Sequence, residues 1–263
     1  MPRWLPLLFG LLLPGVVGAG TFDIDANQFY VLQGSKLVPD GASFGRVMAE
    51  IGVASGPKMI GPARTLGLLG FDIGYTVGLT NINESSAYWK KATKNPSNFL
   101  PTMQVNLTKG LPFSFQIEGL ITHLFSSGVW ALGLNLKWAV VEGYRYLPEL
   151  SVATNVATLT GTKNYTLLTF GGSVLVSKRF GIGGIVEVNP YAGYHALGGR
   201  GASEVLVHFV GSEAKTFVIN PVFFVRHLGV AGLVVTGGIV SGGFEAMFAS
   251  GMQTFGFKAS VTF

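Results

Sequence analysis

The chain contains no cysteine among its 263 residues, which excludes disulfide scaffolding, thiolate metal sites and lipid attachment through a thiol. Charge is scarce as well. Only 12% of residues are Asp, Glu, Lys or Arg, and a soluble protein so poor in charge is prone to association. Past the N-terminus no apolar run reaches the roughly 18 residues that a membrane-spanning helix needs, so a bundle of such helices is excluded. No basic patch interleaved with aromatics is present, which argues against nucleic acid as a partner. The remaining way for such a chain to cross a bilayer with every backbone group paired is a closed β-barrel. Its 38 glycines fit that wall, whose narrow inward face has little room for side chains.

The first residues, Met1-Pro2-Arg3-Trp4, an apolar core from Leu5 to Val17 and the small residues Gly18 and Ala19 read as a secretory signal peptide cleaved after Ala19. Without Arg3 the chain carries 17 basic against 13 acidic residues. Residues 20–63 form a separate N-terminal segment, irregular and expected to be periplasmic from Thr21 to Gly41. Within it Phe44, Val47, Met48 and Ile51 recur at helical spacing behind Ser43. That pattern predicts a short amphipathic helix over Ala42 to Val53, inside the barrel as a plug or at its periplasmic mouth. The competing reading is a first strand with Val47, Ala49, Ile51 and Val53 on one face.

The barrel is expected over 64–263, where from Leu66 the period is two nearly everywhere. The clearest stretch is Val129 to Ala139, where Trp130, Leu132, Leu134, Leu136 and Trp138 alternate with Ala131, Gly133, Asn135 and Lys137. Eight residues separate the tryptophans, roughly 26 Å along a strand and roughly 20 Å along the membrane normal at a tilt of about 40°. That is close to the apolar band of a transmembrane barrel with an indole at each interface. A soluble half-buried strand gives the same alternation, so neighbouring strands have to decide. Phe71 to Leu79, Met103 to Thr108 and Phe113 to Thr122 alternate in the same way. If Leu124 pairs with Val129, Phe115 falls opposite Trp138 and Gln116 opposite Lys137, with both faces in agreement. Glu118 then lies diagonal to Lys137, within reach of a lumenal charge pair.

Further strands are read at Glu149 to Thr160, around Leu168 to Val176, at Val186 to His195, Val222 to Thr236 and Ile239 to Ala249, and finally at Thr254 to Phe263. Long loops fall at Asn81 to Asn98 and Ala196 to Lys215, the second containing Gly198-Gly199-Arg200-Gly201. Pairing Ala249 with Thr254 sets Glu245 opposite Lys258 as a second lumenal pair. The expected fold is all-β: an antiparallel up-and-down transmembrane barrel of about ten strands, eight to twelve being compatible, with a short N-terminal helix. An even count leaves both termini periplasmic. Phe115, Trp130, Trp138, Phe255 and Phe263 are its candidate membrane-interface aromatics.

A last strand that ends on Phe263, with Val261 and Ala259 at alternate steps before it, resembles the C-terminal assembly signal of bacterial outer-membrane barrels. The match is partial, because that signal's glycine would fall nearer Lys258 and here stands at Gly256. The stretches KGLPFSFQIEGLITHL and KWAVVEGYRYLPELSV are similar to uncharacterised outer-membrane barrel proteins of deltaproteobacteria, over about Phe44 to the C-terminus. The resemblance implies a Gram-negative outer-membrane location, contact with outer-membrane lipids and with the barrel-assembly machinery, and no known activity.

Catalytic signals are weak. His123, His195, His208 and His227 have no metal-ligand spacing among themselves or with carboxylates. Glu187 and His195 share a strand face yet stand roughly 26 Å apart. No G-x-S-x-G elbow occurs, and Ser177, Ser241 and Ser260 have no evident histidine partner. Neither glycine-rich stretch, 181–184 or 198–203, has the lysine and helix start of a phosphate loop, and no cofactor or metal is implied. Inward Glu118, Lys137, Glu187, Glu245 and Lys258 read either as pore lining whose mixed charges tune ion passage in a channel for small solutes or as structural pairs closing a narrow lumen. Lys90, Lys91 and Lys94, beside Tyr88 and Trp89, read as a solvated loop or as contacts to lipid phosphates. The functional expectation is a non-enzymatic barrel, either a small porin-like passive channel or a structural and surface-binding protein. The alternative is a lipid-acting enzyme, an acyl hydrolase or lipid A modifier.

Overall fold

A computed structural model describes residues 22–34, 36–93, 96–143, 147–210 and 213–263; the expected signal peptide and Lys94 lie outside them. Ten antiparallel strands form the wall: β1 (Phe71–Asn81), β2 (Phe99–Leu111), β3 (Phe115–Leu124), β4 (Trp130–Val141), β5 (Glu149–Thr160), β6 (Tyr165–Ser177), β7 (Val186–Ser203), β8 (Val222–Gly237), β9 (Val240–Ala249) and β10 (Met252–Thr262). Each pairs with the next, and β10 pairs with β1, so the sheet closes without a free edge around its girth.

Along each strand buried and exposed residues alternate because the wall separates a filled lumen from an apolar exterior. On β10, for example, Thr254, Gly256 and Ser260 are buried, while Gln253, Phe257 and Ala259 are exposed. The β3–β4 hairpin has the register expected from its two faces: Phe115 is opposite Trp138, Gln116 opposite Lys137 and Glu118 opposite Asn135. The Phe115 and Trp138 rings stack at 5.8 Å between centroids. The apparent third-strand residue Phe113 instead sits in the β2–β3 turn, where it and Ser114 adopt φ of 60°.

Following paired residues once around the wall, from Gly198 through Phe170, Val156, Leu134, Gly119, Leu107, Ile73, Val261, Val240 and Gly237, returns to β7 at Val186, a shear of 12 residues. With ten strands this corresponds to a tilt of about 40° and a Cα radius of roughly 10 Å. Each residue then rises about 2.5 Å along the barrel axis, so a ten-residue strand spans about 25 Å. Strands β7 and β8, with 18 and 16 residues, run beyond the rim and carry a hairpin, Leu206–Val210 with Glu213–Phe217.

That extension corrects the second expected loop. Gly198 to Gly201 belong to β7 because aromatic rings lie against their backbone: a Cβ on Gly198 would meet the Phe170 ring at 2.6 Å, and one on Gly199 would collide with the ring of Phe224. Strand β8 is apolar on both faces, one turned outward and one inward. Its inward residues Leu228, Val230 and Val234 are buried, and they pack on an apolar segment that occupies the lumen.

The occupant is the N-terminal segment. Helix α1 (Gly41–Ser55) is buried on every side from Val47 to Ser55 and touches β1, β2, β3, β6, β7, β8 and β10. A helix with side chains is about 10–12 Å across, which a barrel of this radius admits only if the helix is locally slim. Gly52 meets that need: a Cβ there would lie 2.7 Å from the Phe224 ring. The strand alternative for 47–53 is thereby excluded.

Residues 22–40 sit at the rim of the long loops. Phe22 N donates to Ser126 O at 3.1 Å and Asp25 N to Ala92 O at 3.0 Å, while Val207 N donates to Asn27 Oδ1 at 3.0 Å. The chain therefore enters the lumen at the long-loop rim, descends through α1 and residues 56–64, and leaves at the short-turn rim to begin β1. Phe263 lies at that opposite rim, where it exchanges backbone hydrogen bonds with Phe71. The expectation that 21–41 and the C-terminal residue share one side is overturned, because a lumenal pass separates them.

Candidate functional site in the lumen

The lumen is built in two halves. In the half toward the long loops, Phe44, Val47, Met48 and Ile51 join Phe29, Trp89, Leu100, Leu167 and Leu206 in one apolar cluster. A clasp fixes α1 there. Buried Glu50 accepts hydrogen bonds from Tyr88 Oη and Trp89 Nε1, both at 2.6 Å; both donors lie on the loop helix α2 (Ala87–Ala92). Arg46 lies 5.7 Å over the Tyr88 ring. At the helix start Asp40 Oδ1 caps Ser43 N at 3.1 Å and its other oxygen receives Lys91 Nζ at 2.5 Å. Burial pushes the Asp40 carboxyl up, but the Lys91 and Ser43 hydrogen bonds outweigh it and hold the group below the usual carboxylate value. Of the loop lysines, Lys91 thus holds Asp40 rather than standing free in solvent.

Below the helix the chain continues as a strap, residues 56–64, hydrogen-bonded to the wall. Lys58 is buried, and its amine donates to the carbonyls of Val53, Ala54 and Gly56 at 3.1, 2.7 and 2.9 Å. Three acceptors and the negative end of the helix dipole make a cation tolerable at this depth. Lys58 N donates to Gln104 Oε1 and Gln104 Nε2 to Lys58 O, each at 3.2 Å. Ala63 N donates to Ser177 Oγ at 2.8 Å, and Lys137 Nζ to Pro62 O at 2.9 Å.

The lumenal charges are distributed differently from the pairs expected from sequence. Glu118 accepts from Asn106 Nδ2 at 2.8 Å and Asn135 Nδ2 at 3.1 Å, so it makes no ion pair with Lys137, which the strap carbonyl engages. Lys258 is opposite Gly243, and Glu245 opposite Gly256. The true β9–β10 hairpin starts from Ala249 with Met252, two residues tighter than expected, with Gly251 at φ 75° in the turn. Lys258 instead bonds Asp72 of β1 at 2.9 Å, and buried Glu245 accepts from Tyr191 Oη at 2.9 Å. Glu187 pairs with Arg64 of the strap and lies 3.7 Å from Arg179.

Sequence reasoning missed Glu50, Lys58, Arg64 and Asp72. One signal was available for Lys58: it is the only charge between Ile51 and Gly61, directly after a helix end.

Below Met59 and Ile60 the lumen keeps a cavity of about 210 Å³, bounded by Gln116, Glu118, Asn135, Lys137, Val234 and Lys258 among others. No cluster of potential metal ligands occurs among the described residues. His195 is buried in the wall against Gly171, His123 Nε2 lies 3.2 Å from Ser127 O, and His227 bonds Tyr194 on the outer face. Ser177 donates to Glu149.

Of the outward aromatics, Trp138 and Phe263 are exposed, and Phe115, Trp130 and Phe255 half-buried. At eight residues apart, Trp130 and Trp138 differ in height by about 20 Å. Trp130 covers His123 at 4.3 Å between ring centroids.

No family model and no curated protein matches the sequence, and the narrower resemblance to deltaproteobacterial barrels finds no support. Among solved structures the chain is similar to the KdgM porin in complex with disordered oligogalacturonate, at 6% identity over 73% of this chain and 99% of that one, TM-score 0.37. It is also similar to the attachment invasion locus protein Ail of Yersinia pestis, at 8% identity over 74% and 97%, TM-score 0.28. A third is the β-domain of the Bordetella autotransporter BrkA, at 13% identity over 74% and 100%, TM-score 0.36. All are barrels of bacterial outer-membrane proteins, and similarity this low carries neither ligand nor activity.

Proposed function

We propose that the chain is a Gram-negative outer-membrane β-barrel without enzymatic activity, closed by its own N-terminal segment and serving as a structural and surface-binding protein rather than as an open passive channel. One observation carries the reading: α1 packs inside the lumen against seven strands, and the strap after it is hydrogen-bonded to the wall. The outward apolar faces and the contrast between long loops at one rim and short turns at the other support a membrane barrel with its loops outside. On this reading residues 1–19 export the chain, Val261 and Phe263 present it to the assembly machinery, and Phe115, Trp130, Trp138, Phe255 and Phe263 meet the lipid interfaces.

Planar-bilayer recording tests the closed state. The full barrel gives no stable conductance steps, whereas a form lacking residues 41–62 gives steps whose ion preference shifts in Lys137→Glu. Equal conductance with and without the segment would replace the proposal with a passive channel for small solutes.

The lipid-acting enzyme remains the alternative. It requires a nucleophile and base in contact, and Ser177 is held by Glu149 rather than by a histidine. Acyl chains released by purified protein, and lost in His195→Ala, would overturn the non-enzymatic reading.

A further inference from the structure

The cavity below the strap is bordered by both polar and apolar groups. Lys137 and Gln116 are directly opposed on β4 and β3, which places their Cβ atoms within about 5 Å of one another. Among the described residues the Lys137 amine has one hydrogen-bond acceptor, the neutral Pro62 O, and so keeps N–H groups for a ligand in the cavity it borders. Gln116 uses its Oε1 for Leu66 N at 3.3 Å, leaving its amide NH2 as a second donor. The other bordering cations already hold carboxylates, Arg64 with Glu187 and Lys258 with Asp72. The apolar residues Ile60, Leu175 and Val234 border the same space and belong to one cluster; Val234 is on β8, five strands from β3 in either direction, and Leu175 is on β6, two strands from β4.

We infer that this cavity binds a small monocarboxylate with an apolar body, the carboxylate received by Lys137 and Gln116 and the hydrocarbon laid on Ile60, Leu175 and Val234. A charge-assisted bond to an amine inside a partly enclosed site is the strong kind of hydrogen bond. The volume of about 210 Å³ falls below the roughly 300 Å³ at which drug-sized sites begin, so the ligand is a single-ring or short-chain acid. Glu118, diagonal to Lys137 and held by Asn106 and Asn135, repels further negative charge and selects against dianions.

Calorimetric titration of the full barrel in non-ionic detergent, with benzoate as the probe, tests the site. Saturable binding is expected at one benzoate per barrel. It weakens about tenfold or more in Lys137→Met and less in Gln116→Leu, and it is largely kept in Lys137→Arg. Benzyl alcohol, benzylammonium and inorganic phosphate bind more weakly than benzoate. Unchanged affinity in a Lys137→Met protein that still shows heat-modifiable migration would overturn the site. So would benzyl alcohol matching benzoate, or the absence of saturable binding to the full barrel.

Discussion

Replacing Glu50 by leucine tests whether the α2 clasp holds the plug. The carboxylate accepts two hydrogen bonds of 2.6 Å, and bonds to a charged group contribute about 1.5–3 kcal/mol each. The substitution leaves Trp89 Nε1, on a side chain with 0% exposure, without a partner, while Tyr88 Oη is nearer to solvent. A buried leucine returns about 1–2 kcal/mol through apolar contact. The net loss for docking of α1 is about 1–5 kcal/mol, or roughly 5- to 5,000-fold in the local opening equilibrium. Hydrogen–deuterium exchange of peptides covering 41–55, in detergent, reads that change directly. The same peptides in Glu50→Gln, which keeps one acceptor, should lose about tenfold. Wild-type exchange over 41–55 in the leucine variant, with wall peptides unchanged, would refute the clasp.

The start of the same helix should respond to acid. The Asp40 carboxyl is held below its ordinary value, so its contribution is fully present above the unfolded value near pH 4 and is lost as pH falls through the folded one. Exchange at residues 40–45 should therefore accelerate below about pH 4, and Asp40→Asn should flatten the dependence. An epitope inserted at Gly34, in the turn of the hairpin Tyr30–Gln33 with Lys36–Pro39, should be labelled by antibody on intact cells; labelling only after outer-membrane permeabilisation would reverse the assigned orientation. Phe263→Ala should lower the assembled, heat-modifiable fraction, and an unchanged fraction would refute the reading that the terminal aromatic is what the assembly machinery engages.

The wall was legible because lipid and lumen impose opposite chemistry on alternate residues, and the β3–β4 register followed from matching both faces. The helix was legible in Phe44, Val47, Met48 and Ile51, but its place was not: periodicity reports a face, whereas α1 from Val47 to Ser55 is surrounded on all of them. The charge partners failed for a different reason. Asp72 and Lys258 lie 186 residues apart and meet only across the closing seam, while Lys137 bonds to, and Arg64 belongs to, a strap whose path no local pattern records. Gly198 to Gly201 read as a loop because glycine in a sequence marks a turn and a close ring contact alike.

The lumenal pass bears on how the barrel is made. Residue 64 leads straight into β1, so α1 and the strap are tethered to one side of the β1–β10 seam. Were that seam to close first, residues 22–64 would have to be drawn as bare chain through a bore their folded form fills. Closing it last lets the wall wrap an occupant already in place, and Lys58, Gln104 and Glu50 then find their partners as the strands arrive. On that order the β1–β10 pairing, with Lys258 meeting Asp72, forms last, and variants that weaken the plug should slow closure even though they touch no residue of the seam.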